Sequence, residues 1–158
     1  MPADVSLYQT AQTIEASALG QTIRESTWLF PAIESTHLLA LALLGGSVLI
    51  IALAVLGLGL KAAPADIYAS ARRYMNGAVA VLLITGVLLG VSEPVKLYGR
   101  QAFWVKMISL LIAVAVTYCA FTPLIRRGAR GAGIRSAAAL TMAAWLMVAM
   151  AGRWIGFS

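Results

Sequence analysis

The stretch 38–60, LLALALLGGSVLIIALAVLGLGL, contains no ionisable side chain. A helix rises about 1.5 Å per residue, so a run of this length crosses a hydrocarbon layer of about 30 Å. That single feature places the chain in lipid, and the composition agrees. Hydrophobic residues make up 61% of the 158, and the mean hydropathy is +0.87, against an apolar share of roughly 45–50% in soluble domains.

Four segments meet the requirement for a span, at about 31–60, 74–91, 102–125 and 136–155. Pro31 suits a first helical turn, where its missing N–H has no partner to lose. The second segment ends at Ser92-Glu93-Pro94, and the third is bounded by Arg100 and by Arg126-Arg127. The fourth, AAALTMAAWLMVAMAG, is free of charge until Arg153. None shows the apolar–polar alternation of a membrane barrel, and open strands would leave backbone groups unpaired in lipid. The expected fold is an all-α, integral membrane four-helix up-down-up-down bundle, residues 28–158. Residues 1–27 form an arm before it. In that arm Ser6 to Gln9 fits a capping box, Leu7, Ala11, Ile14 and Ala18 recur at helical spacing, and Gly20 offers a stop. A short amphipathic helix is expected there. The arm lacks the basic start and apolar core of a secretory signal.

Basic residues fix the expected orientation, because Lys and Arg near helix ends stay cytoplasmic. The first connection carries Lys61, Arg72 and Arg73 against Asp66, and the third carries Arg126, Arg127, Arg130 and Arg135 with no acid. Seven bases less one acid give +6, equal to the formal net charge of the whole chain. The arm has Asp4, Glu15 and Glu25 against Arg24, and the second connection has Glu93 against Lys96 and Arg100. Both termini are therefore expected on the outer, periplasmic side of a bacterial inner membrane. The basicity is a topology signal and no nucleic-acid partner is expected, since no basic face interleaved with aromatic readers is evident. Trp28, Trp104 and Trp154 fall at the outer ends of spans, as an aromatic belt does. Cys119 is the single cysteine, so an intrachain disulfide is impossible.

Each span also delivers an ionisable group to the outer end. Glu34 and His37 stand three positions apart near the head of span one, Glu93 follows span two, Lys106 enters span three, and Arg153 ends span four. Charge in hydrocarbon is costly, so such groups usually face partners or a wet cavity. Two readings follow: a satisfied structural network with Lys106 and Arg153 reaching to the interface, or an outward-facing polar pocket. Three chemistries suit a pocket. His37 is a candidate axial ligand for haem b, with Met107, Met147, Met150, a water or a second protomer's histidine completing the iron. The cluster is a candidate quinone or polar-headgroup site, with Lys106 and Arg153 as donors. Or Glu34 and His37 relay protons. No metal cluster, phosphate-cradling loop or nucleophile elbow is present, so no enzymatic activity is expected. The leading expectation is a membrane subunit or accessory protein in a larger or self-associated assembly; a small oligomeric transporter or proton-coupled carrier is the alternative.

The segments WLFPAIESTHLLALALLGG, TGVLLG, FWVKM and AAWLMVAMAGRWIGF together resemble an uncharacterised family of small bacterial four-span inner-membrane proteins. The likeness runs from Trp28 onward and places the family's histidine, lysine and terminal Gly-Arg on His37, Lys106, Gly152 and Arg153. It implies a four-span fold and a membrane location. There is a looser likeness to copper-resistance D-type and small cytochrome b membrane proteins, which use several histidines where this chain has one.

Overall fold

A computed structural model of the chain describes the backbone of residues 2–155 and the side chains of residues 6–154. The side chain of Asp4 and the tail 156–158 lie outside the described residues. The described residues are helical and contain no strand. Two arm helices, α1 (Pro2–Glu15) and α2 (Ala18–Glu25), precede α3 (Leu29–Leu56), α4 (Pro64–Ser92) and the short α5 (Pro94–Tyr98). Helix α6 (Gln101–Ala115), a π-helical segment (Val116–Phe121) and α7 (Thr122–Arg126) form one continuous span, and α8 (Ala132–Ile155) follows. Four of these stretches are long and apolar enough to cross a membrane, so the chain is a multi-pass membrane protein.

The span ends follow local chemistry. Ser26 Oγ accepts the N–H groups of Trp28 at 3.4 Å and Leu29 at 3.0 Å, satisfying donors that open α3. Gly57, at φ 74°, ends α3, and Leu58 N–H reaches back to Leu53 O at 2.9 Å. Span one therefore stops four residues before the apolar run does. Helix α4 begins at Pro64 with Asp66 in its first turn, ten residues ahead of the start the hydropathy pattern gives. Its first three turns are helical but carry Arg72 and Arg73, outside the purely apolar segment. In the third span, Thr122 N–H bonds Thr117 O, five residues back, and Pro123 then has no N–H to donate. A widened π turn at this point is a usual accommodation of a break in the hydrogen-bond ladder.

The spans make a curved row. Helix α3 packs along α4 on one side and along α8 on the other, and α8 packs along α6. Helix α4 meets the third span at α7 and at the π-helical segment before it, whose Tyr118 O–H donates to Asn76 Oδ1 at 2.9 Å, whereas α4 and α6 scarcely touch among the described residues. The row thus closes toward the basic rim, which carries the loops 57–63 and 127–131, and spreads toward the rim that carries the arm. Leu44, Ile51, Met75, Phe121, Ile125 and Trp145 fill the closed part. Alanine permits the closest approaches, since Ala52, Ala113 and Ala138 are fully buried. The G-x-x-x-G pair does not: a Cβ on Gly90 would meet nothing, and one on Gly86 would meet His37. Leu39 and Leu111, each 72% exposed, form part of the lipid-facing surface.

The arm is docked on the spread rim. It is two helices, with the break at Ala16-Ser17, where Ser17 Oγ caps α2 by accepting Gly20 N–H at 3.2 Å. Gly20 lies inside α2 and ends nothing. It is instead the contact point with α4, where a Cβ would stand 2.9 Å from Val91 O. Ile23 of α2 is 1% exposed. Glu15 joins three elements: Oε1 pairs with Arg24 at 2.9 Å, and Oε2 accepts Val95 N–H at 3.1 Å.

Candidate functional site

His37 stands eight residues into α3 and Thr85 seven residues from the end of α4, so antiparallel packing brings them to one depth, about 12 Å below the arm rim. His37 Nδ1 lies 2.8 Å from Thr85 Oγ1. The ring is half-buried against Gly86, whose absent Cβ would fall 3.5 Å from His37 Cε1. Nε2 has no hydrogen-bond partner among the described residues. A β-carbon on residue 86 would make an ordinary van der Waals contact with the imidazole.

Lys106 enters the same region from α6. Its aliphatic stem and ammonium lie along the backbone of α8, with Nζ 3.6 Å from where a Gly152 Cβ would stand. Among the described residues no carboxylate pairs with it. One glycine therefore seats each of the two polar groups: Gly86 under the imidazole, Gly152 under the ammonium.

The other sequence candidates fall elsewhere. Glu34 is exposed and makes no hydrogen bond or ion pair among the described residues. Glu93 is engaged by Lys96 at 2.9 Å. Arg153 is exposed at the end of α8. Met107 is half-buried beside Lys106, while Met147 and Met150 are 56% and 73% exposed on the lipid face of α8. The site thus reduces to His37 and Lys106, with Thr85, Gly86 and Gly152 as the residues that seat them. Sequence reasoning missed Thr85. The depth count from the two span ends would have found it as the one polar side chain in α4 level with His37.

This donor set does not suit a haem held within one chain. Met147 and Met150 are exposed on the lipid face of α8, and Met107 lies on α6 next to Lys106, whose ammonium would add its positive charge to that of a metal cation. No group of three or more metal-binding side chains occurs among the described residues. What the pair can do is offer hydrogen bonds and positive charge to an oxygen-bearing group that enters from the membrane. Two surface grooves lie elsewhere. One, of about 430 Å³, runs between α3 and α4 toward the basic rim along Leu43, Ser47, Ile50, Ile67 and Tyr74; the other, of about 340 Å³, lies under the arm beside Glu15 and Arg24.

A model of a family of unknown function, DUF6644, matches residues 10–158. Comparison with curated proteins and with solved structures gives no match.

Proposed function

The chain belongs to that family of unknown function, and from the geometry of its spans we propose that it is a bacterial inner-membrane subunit that holds the head of a lipid-dissolved molecule of the quinone class. The arm rim faces the periplasm and the basic rim the cytoplasm, as the distribution of Lys and Arg argues. The subunit works in a larger or self-associated assembly. One observation carries the reading: the Lys106 ammonium lies over Gly152 between the third and fourth spans, in the same rim half of the bundle as His37, with no carboxylate partner among the described residues. Such a charge is costly in hydrocarbon, and an electronegative ligand would offset that cost. The depth of His37, about 12 Å below the end of α3, favours a ring head carried on an apolar tail over a phosphate anchored at the headgroup level. The closed part of the bundle, filled by Phe121, Ile125 and Met75, leaves one chain no path to the other rim, which favours binding over transport.

The test is titration of a decyl-tailed benzoquinone into protein in nanodiscs of zwitterionic lipid, and again in nanodiscs containing anionic phospholipid. Saturable binding is expected in both, and Lys106→Met weakens it about 10- to 100-fold, the worth of a charged hydrogen bond of about 1.5–3 kcal/mol. Loss of binding in the anionic discs would identify lipid phosphate as the natural occupant. Absence of saturable binding in both would overturn the reading. Purification in mild detergent should bring down a stoichiometric membrane partner or a discrete homo-oligomer.

A further inference from the structure

Thr85 Oγ1 lies 2.6 Å from Val81 O, one helical turn back. Two oxygens at that separation are joined by a hydrogen, and the carbonyl has none to give, so the threonine hydroxyl donates to Val81. Its single proton is thereby used. The contact of 2.8 Å with His37 Nδ1 must then run the other way, with Nδ1–H donating to Thr85 Oγ1. A neutral imidazole carries one N–H, so Nε2 is left as a bare acceptor. Trp145 shows the same arrangement elsewhere in the molecule. Its indole N–H, which can only donate, lies 2.9 Å from Thr117 Oγ1, and that hydroxyl lies 2.6 Å from Ala113 O, also one turn back. In both hairpins a threonine bonded to its own helix accepts a ring N–H from the neighbouring span.

We infer that Thr85 is a positioning residue that holds neutral His37 as the Nδ1–H tautomer, so that the site takes a ligand bringing a hydroxyl to Nε2: the hydroquinone rather than the quinone. The inference rests on the ligand class proposed above. A hydroquinone O–H donates to Nε2, and its oxygen lone pairs accept from an ammonium such as Lys106. A quinone oxygen satisfies the ammonium but sets its lone pairs against that of Nε2. No electron transfer is involved; the site distinguishes two redox forms by their protons.

The chain has one histidine, so ¹⁵N-histidine labelling gives one pair of ring signals. Spectra of the protein in nanodiscs at about pH 8.5, well above the ordinary histidine range, are expected to show a protonated Nδ1 and a bare Nε2 in wild type and in Thr85→Ser. Thr85→Val should give a mixture of tautomers. A protonated Nε2 in wild type would overturn the assignment. Anaerobic titration with the decyl-tailed hydroquinone and its quinone should show about fivefold to tenfold tighter binding of the hydroquinone, the worth of one neutral hydrogen bond. Thr85→Ser should keep that ratio and Thr85→Val bring it toward one. Equal binding by wild type, or tighter binding of the quinone, would overturn the selection while leaving the proposed function in place. If neither form binds and the tautomer is as assigned, the proposed function falls and the selection falls with it.

Discussion

Trp145 and Thr117 tie the fourth span to the third, through an indole N–H that reaches a hydroxyl in the π-helical segment at 2.9 Å. Thr117 is fully buried and Trp145 is 5% exposed, so neither group has water as an alternative partner. His37 and Thr85 make the equivalent contact between the first and second spans, but there the imidazole is half-exposed. The two pairs share a chemistry and differ in how much depends on each.

Replacing the threonines separates them. Thr117→Val removes the acceptor and strands a buried indole N–H, which should cost about 1–2 kcal/mol, at the upper end of hydrogen bonds measured between membrane helices. Thr85→Val should cost less than about 1 kcal/mol, because the freed imidazole nitrogen can find water or lipid oxygen at the open rim. Reversible unfolding in mixed micelles reads both. Equal losses would mean that the π-segment contact carries no more than the rim contact.

The arm gives a steric prediction. At Gly20 a methyl group would stand 2.9 Å from the Val91 carbonyl and 3.1 Å from those of Ile14 and Glu15. All are backbone atoms and cannot turn aside, so Gly20→Ala should lift α2 from α4 and cost about 1–3 kcal/mol of docking. Limited proteolysis after Arg24 should speed up by tenfold or more, with the spans still intact. Gly45→Ala is the control: its methyl group would meet nothing within 4 Å, and cleavage should stay at the wild-type rate.

How far the sequence reaches depends on what each signal measures. Charge-free runs locate the spans because ionised groups are excluded from hydrocarbon, but they report lipid, not helix. Helix α4 therefore starts at Pro64, among residues whose polarity hid it, and α3 stops at Gly57, whose left-handed backbone ends the ladder inside an apolar run. Depth was legible too, which is why His37 and Lys106 stand out from the sequence. Facing was not. Three residues turn a helix by about 300°, leaving Glu34 about 60° round from His37, and that offset puts one at the surface and the other against α4. Ion pairing was equally hidden: Glu93 turns to Lys96, three residues on, because Pro94 starts a new short helix that brings the two together. The arm's break at Ser17 could have been read from its capping side chain; the touch of Gly20 on Val91 involves residues 71 positions apart and has no local signature.

Orientation has a direct check. Cys119→Ser should be silent, since the thiol is exposed on the span surface and has no disulfide partner in the chain. In that background a cysteine at Gln21, exposed on the arm, should react with a membrane-impermeant maleimide in whole cells. One at Ala62, exposed in the loop before α4, should react only after the membrane is opened. The reverse pattern would invert the assignment drawn from the basic loops.

Lys106 offers the sharpest test of whether the region serves a ligand or the fold. If the ammonium were part of a structural network, removing it would leave a buried partner unsatisfied and destabilise the bundle by several kcal/mol. No carboxylate pairs with it among the described residues, so Lys106→Met removes a poorly compensated charge and keeps the stem that packs over Gly152. The expected outcome is a gain of about 1–3 kcal/mol, scaled from the insertion cost of a mid-span lysine, together with the loss of quinone-class binding. A residue that weakens its own fold and strengthens a complex is the usual mark of a site. Unfolding of the ligand-free variant in micelles decides it: a gain supports a binding role for Lys106, and a loss of more than about 2 kcal/mol assigns it to the architecture.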